Sequence, residues 1–133
     1  MYTRIMVVDD DEVNNFVTEK FLYLLNPAYE VSSYANPVKA WHYLQEQKES
    51  PEQLPQIILL DINMPAMDGF EFLANLSKEN LSGSIQVIMY SSSTQLEDRL
   101  KAMEYTNVIG YMEKPFNTDI YKDILATAGC VEL

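Results

Sequence analysis

The runs QIILL (56–60) and IQVIMY (85–90) are apolar at nearly every position, so a strand built from either must be covered on both faces. Three more short runs carry strand character: RIMVV (4–8), YEVSSYA (29–35) and VIGYME (108–113). Between them the apolar period changes from two to about 3.6. Val13, Phe16, Val17, Phe21 and Leu24 share one helical stripe, Leu96, Leu100 and Met103 a second, and Ile120, Ile124 and Ala128 a third. This is the pattern of amphipathic helices laid on a sheet. Residues 37–47 and 70–78 supply two further helices with weaker periodicity. Asn36 before Pro37 reads as an N-cap with proline in the first turn, and Thr118 with Asp119 marks the start of the last helix. QKESPEQLP (47–55), polar and with two prolines, is the only stretch that reads as a long loop, and no linker, repeat or low-complexity tract interrupts the chain.

Strands alternating with helices predict an α/β fold whose parallel sheet is joined by right-handed crossovers. Of the doubly wound orders, the flavodoxin-like 2-1-3-4-5 suits five strands best, here as one domain over residues 1–133. Such folds bind ligands outside the carboxyl ends of the strands, beside the switch in strand order.

Composition narrows the function. With 133 residues, 47% hydrophobic and 22% charged, the chain can bury a real core. Its 20 acidic against 9 basic residues give a net charge of -11, which argues against direct binding to nucleic acid or to an anionic membrane. Cys130 is the only cysteine and can form no internal disulfide. Charges fall within the first ten residues, where a signal peptide needs an apolar core, and no apolar run approaches the ~18 residues of a membrane span. The expected location is the cytoplasm.

The carboxyl ends of the predicted strands carry the chemistry. The first runs into DDDE (9–12), the third into Asp61, the fourth into SSS (91–93) and the fifth into Lys114 and Pro115. Carboxylates converging from neighbouring strands repel one another unless a cation lies among them. Mg²⁺ suits this demand, because it takes oxygen ligands and is usually held by one or two carboxylates plus a phosphate. A hydroxyl and an ammonium opposite would meet the remaining oxygens of a phosphoryl group. Each piece has a plainer reading alone: a solvated helix entrance for the acids, a helix cap for the serines, an ordinary surface lysine, a turn for MDG at 67–69. Their joint placement at successive strand ends favours a phosphoryl-transfer site centred on an aspartate.

The blocks IMVVDDDE, LLDINMPAMDG, VIMYSSS and GYMEKPF resemble, in order and spacing, the signature blocks of response-regulator receiver domains of two-component signalling, across essentially the whole chain. The resemblance implies that Asp61 is the phosphoacceptor. It implies that Asp9, Asp10 and Asp61 hold Mg²⁺ (or Mn²⁺), Asp10 more directly than Asp9, with the backbone carbonyl of Asn63. Ser91 would bind a phosphoryl oxygen, Lys114 would pair with the phosphoryl charge, and the bond to Pro115 would be cis. Tyr111 falls at the position of the family's aromatic switch, which turns inward when Ser91 is drawn to the phosphoryl group. That movement would remodel the face made by the fourth helix, fifth strand and fifth helix, where a downstream protein docks; Tyr105 and Tyr121 belong either to that face or to ordinary packing.

The implied donor is a histidine kinase or a histidine phosphotransfer protein, and the implied assembly a monomer or weak homodimer. Because the sequence ends soon after the fifth helix, a stand-alone receiver is expected, acting by docking or as a phosphorelay intermediate. Departures from the family pattern are few: Asp11 as a third acid, Ser92 where a smaller residue is common, and Ser93 and Asn63 at the two variable positions that tend to set phosphoryl lifetime. His42, the only histidine and far from the acids, reads as a surface or packing residue.

Two rivals remain at this level. Asp9, Asp11 and Val13 spell the D-x-D-x-V of haloacid-dehalogenase phosphatases, with Asp9 as nucleophile and Asp11 as general acid. That reading lacks the later acidic pair, leaves Asp61 unexplained and has no room for a cap. The other is a phosphorylation-independent interaction module on the same fold, whose mark would be loss of an acid, the hydroxyl or the lysine. None is lost.

Overall fold

The computed structural model describes residues 4–81, 83–92 and 95–128; Ser93 and Cys130 lie outside them. The strands are β1 (Arg4–Val8), β2 (Glu30–Tyr34), β3 (Ile57–Leu60), β4 (Gln86–Ser91) and β5 (Val108–Glu113). The helices are α1 (Glu12–Leu25), α2 (Pro37–Glu46), α3 (Gly69–Lys78), α4 (Leu96–Ala102) and α5 (Thr118–Thr127). The strands form one parallel sheet in the order β2-β1-β3-β4-β5, the expected flavodoxin-like topology. The predicted 47–55 loop contains a short 3-10 turn, Pro51–Gln53. No helix among the described residues is long and apolar enough to cross a membrane.

Caps fix where the helices enter. Asn36 accepts from the backbone N–H of Val38 at 2.9 Å with Pro37 behind it, as the sequence predicts. α5 begins at Thr118, as expected, and is capped by Asn117, which accepts from Ile120 N–H at 3.0 Å. Asp68 caps α3 by accepting from Glu71 N–H at 2.9 Å, so the MDG turn is also a helix start. Gly69 is required there: a Cβ would fall on the carbonyl oxygen of Asp61 and lie 3.0 Å from Ile62 Cα.

Two cores flank the sheet. One joins Met6, Val8, Ile58, Leu60, Val87 and Met89 to Trp41, Leu44, Phe72, Leu73 and Leu76 of α2 and α3. The other joins Ile5, Val7, Ile57, Leu59, Ile88 and Tyr90 to Leu22, Tyr121 and Leu125 of α1 and α5.

The outer helices depart from the predicted stripes. In α1 the buried residues are Asn15, Thr18 and Leu22, while Val13, Phe16 and Leu24 are 74%, 59% and 81% exposed, with Val17 and Phe21 also outward. The period holds but the other face turns in, because polar partners in the fold claim it. Asn15 Nδ2 donates to the Asp9 carbonyl at 2.8 Å, and Thr18 Oγ1 lies 3.1 Å from the buried Tyr90 hydroxyl. Turning the apolar stripe inward would take these partners from the Asp9 carbonyl and the buried Tyr90 hydroxyl. Leu96, Leu100 and Met103 also point outward, and only Ala102 of α4 is buried. In α5 the buried residues are Tyr121 and Leu125; Ile120 is exposed, and Ile124 packs part-buried over Gly110, where a Cβ would stand 2.6 Å from its Cγ2.

Candidate functional site

The predicted site residues stand at the carboxyl ends of adjacent strands. Asp9, Asp61 and Lys114 each follow the last residue of a strand, and their backbone N–H groups continue the ladder, to Tyr34 O at 3.1 Å, Val8 O at 2.9 Å and Ser91 O at 2.9 Å. Ladder bonding thus carries the positions of β1, β3 and β5 into the crevice. Ser91 is the buried last residue of β4, between β3 and β5.

The carboxylates of Asp9, Asp10 and Asp61 present oxygens that all lie within 4.8 Å of one another. Asp9 and Asp61 are buried and Asp10 is exposed, so the cluster opens to solvent through Asp10. Lys114 Nζ bridges the two buried acids, 2.7 Å from Asp9 Oδ2 and 3.2 Å from Asp61 Oδ2. Asp9 is held further by the backbone N–H of Asp11 at 3.0 Å and by Asn14 Nδ2 at 2.9 Å. Burial pushes the Asp61 carboxyl above the ordinary carboxylate value; Lys114 pulls it down, Asp9 pushes it up, and the net direction is up. For Lys114 burial acts downward, but the hydrogen bond to Asp9 and the charges of both acids outweigh it and raise the ammonium. Three carboxylates facing one ammonium leave a surplus of negative charge presented by oxygen donors, which suits a hard divalent cation.

Asp11 does not join the cluster. Its side chain caps α1, accepting from Asn14 N–H at 3.0 Å. With Asp11 as a cap and Val13 turned to solvent, the D-x-D-x-V phosphatase arrangement is not favoured. Asn63 is exposed in the loop after Asp61, two residues before Pro65, and Ala66 in the same loop adopts a left-handed φ of 70°. The Lys114–Pro115 bond is cis.

Tyr111 is half-buried on β5 beneath α4, with the Arg99 guanidinium 4.7 Å from its ring centroid. Arg99 in turn pairs with Glu113 at 2.9 Å. Tyr105 is half-buried against the α2–α3 core, Tyr121 is wholly buried, and His42 is exposed on α2. Sequence reasoning missed Asn14, Asn15, Tyr90 and Arg99. Asn14 and Asn15 follow the acidic run directly, which was the available signal; nothing local marks Tyr90 or Arg99.

The family profile that matches is the response regulator receiver domain, over residues 5–126. The chain belongs to the response regulator receiver family. The phosphate regulon transcriptional regulatory protein PhoB of Escherichia coli is 31% identical over 117 residues, a match covering 88% of this receiver and 47% of that protein. The receiver thus spans about half the length of such curated relatives. Among solved structures, a two component response regulator from Cytophaga hutchinsonii superposes with a TM-score of 0.84 at 24% identity, covering 95% of this chain and 96% of that one. The Mn²⁺-bound form of response regulator Rcp1 superposes with a TM-score of 0.75 at 25% identity, covering 98% and 96%. The receiver is a signalling module whose acidic crevice fits a phosphorylation switch.

Proposed function

We propose that Asp61 accepts a phosphoryl group from the phosphohistidine of a histidine kinase or histidine phosphotransfer protein. The observation that carries this reading is the Asp61 carboxylate with Lys114 Nζ at 3.2 Å and the oxygens of Asp9 and Asp10 within 4.8 Å. An Asp61 oxygen attacks phosphorus in line as the bond to the donor imidazole nitrogen breaks; the oxygens of the transferred group are then met by Lys114 and the Ser91 hydroxyl. Asp9, Asp10, Asp61 and the Asn63 carbonyl would hold Mg²⁺ or Mn²⁺, in keeping with the Mn²⁺ bound by the similar Rcp1. The cation would supply charge neutralisation during transfer. Hydrolysis of the acyl phosphate by water resets the site, and the residues at 63 and 93 influence how fast.

Output is read on the α4–β5–α5 face. Leu96, Leu100 and Met103 of this face stand exposed, and Tyr111 lies under the Arg99 guanidinium, which pairs with Glu113. When Ser91 is drawn toward the phosphoryl group, Tyr111 moves inward and this face changes for a protein partner.

Incubation with Mg²⁺ and a small phosphoramidate tests the reading by intact mass. A stoichiometric, Mg²⁺-dependent gain of one phosphoryl group, absent in Asp61→Asn, is expected. An inert wild-type protein that nevertheless binds the metal would point instead to a phosphorylation-independent module.

A further inference from the structure

A part-buried polar bridge runs from the acidic cluster into α1. Asn14 Nδ2 donates at 2.9 Å to Asp9 Oδ2, the oxygen that also takes Lys114 Nζ at 2.7 Å. The Tyr90 hydroxyl donates to Asn14 Oδ1 at 3.4 Å and lies 3.1 Å from Thr18 Oγ1. Tyr90 has one hydroxyl proton. With that proton on Asn14, Thr18 must donate to Tyr90, so the donors run one way from Thr18 through Tyr90 and Asn14 to the Asp9 carboxylate. Chains of this sense polarise along their length and end most favourably on an anion. The Tyr90 ring is fully buried and a phenylalanine would fill the same space, so the hydroxyl serves the bridge rather than the core.

Resting on the reading that the acidic cluster binds a divalent cation, we propose that Asn14, backed by Tyr90, is a positioning residue that sets the affinity of the site for that cation. Asp9 Oδ1 takes the Asp11 N–H and Oδ2 takes both Asn14 and Lys114, so the carboxylate is fixed from two sides. Without the Asn14 amide, Lys114 alone holds Oδ2, and the ammonium can draw Asp9 away from the geometry it shares with Asp10 and Asp61. Partners of this kind, which orient a ligand without touching the metal, commonly change affinity by an order of magnitude or more.

The test is a Mn²⁺ titration followed by the electron paramagnetic resonance signal of free Mn²⁺, with a thermal melt on each protein. Asn14 is only half-buried, so Asn14→Ala retains the fold. Its Mn²⁺ dissociation constant is expected to rise about tenfold with little change in melting temperature. Tyr90→Phe acts through the longer 3.4 Å contact and is expected to weaken binding less, in the same direction. The double variant should then bind no more weakly than Asn14→Ala, because the two act in series. Equal Mn²⁺ affinity in wild type and Asn14→Ala would overturn the inference, as would Tyr90→Phe and Asn14→Ala effects that add in full. A wild-type protein that binds no Mn²⁺ would overturn the metal reading of the site and this inference with it, a result distinct from the first.

Discussion

The two sides of the sheet are covered in different ways. On the α2–α3 side, α3 turns Phe70, Phe72, Leu73 and Leu76 inward, and the contact is nearly all apolar. On the α1–α5 side, α1 turns Asn15, Thr18 and Leu22 inward and leaves its stronger apolar stripe in solvent. The first helix is held by apolar burial and could tolerate a small rotation of each side chain. The second is oriented by directional bonds to Asp9 and Tyr90, at the carboxyl ends of β1 and β4. The helix that begins beside the site is thus held by the more geometrically exacting interaction.

That contrast can be broken from either side. The largest effect is expected from Leu73→Ala, which empties a fully buried position of α3 and should cost about 2–5 kcal/mol in chemical denaturation. Thr18→Val keeps the shape but strips the Tyr90 hydroxyl of its 3.1 Å partner, for an expected loss of about 1–3 kcal/mol. A Thr18→Val loss near zero would mean that packing, not bonding, holds α1.

Charge sharpens the comparison further. In metal-free protein the Asp61 carboxyl titrates above its ordinary value because of burial, with Lys114 opposing and Asp9 adding. A raised acid favours the folded state fully below its ordinary value of about 3.9, and that contribution is lost as pH rises through the folded value. Asp61→Asn removes the titration. The variant is therefore expected to melt above wild type at neutral pH, with the gap closing on acidification; Mg²⁺ should then lift wild type more than the variant. Melts of both proteins across pH, with and without Mg²⁺, decide the sign.

Smaller effects come last. Ala66→Gly relieves a left-handed residue in the loop after Asp61 and should stabilise by about 1 kcal/mol. Phe16→Ala, on the outward stripe of α1, should change stability by about 0.5 kcal/mol or less. A larger loss would show that Phe16 is covered in solution.

The same contrast explains what the sequence made legible. β3 and β4 announce themselves because a doubly covered parallel strand has no polar face, and their neighbours follow from the crossover rule. Asp9, Asp61, Ser91 and Lys114 were legible because each closes a strand, so topology alone brings them to one edge. The facing of α1 was not. Two stripes of the same helix obey the same period, and the choice between them rests on contacts with Tyr90, 72 positions away from Thr18 in the chain, and with the backbone of Asp9. Apolar periodicity records only that a helix has a preferred side. The cover of Arg99 over Tyr111 was hidden for the same reason, since it depends on how α4 lies across β5.

Gly69 carries one more lesson. Its missing side chain leaves room for the backbone of Asp61 and Ile62 beneath the acidic cluster, so any larger residue must push on the floor of the site. In a saturation screen scored by signalling output, position 69 should therefore rank beside Asp61 itself, and an interpreter working from scores alone would assign a chemical role to a residue that has no functional group to offer.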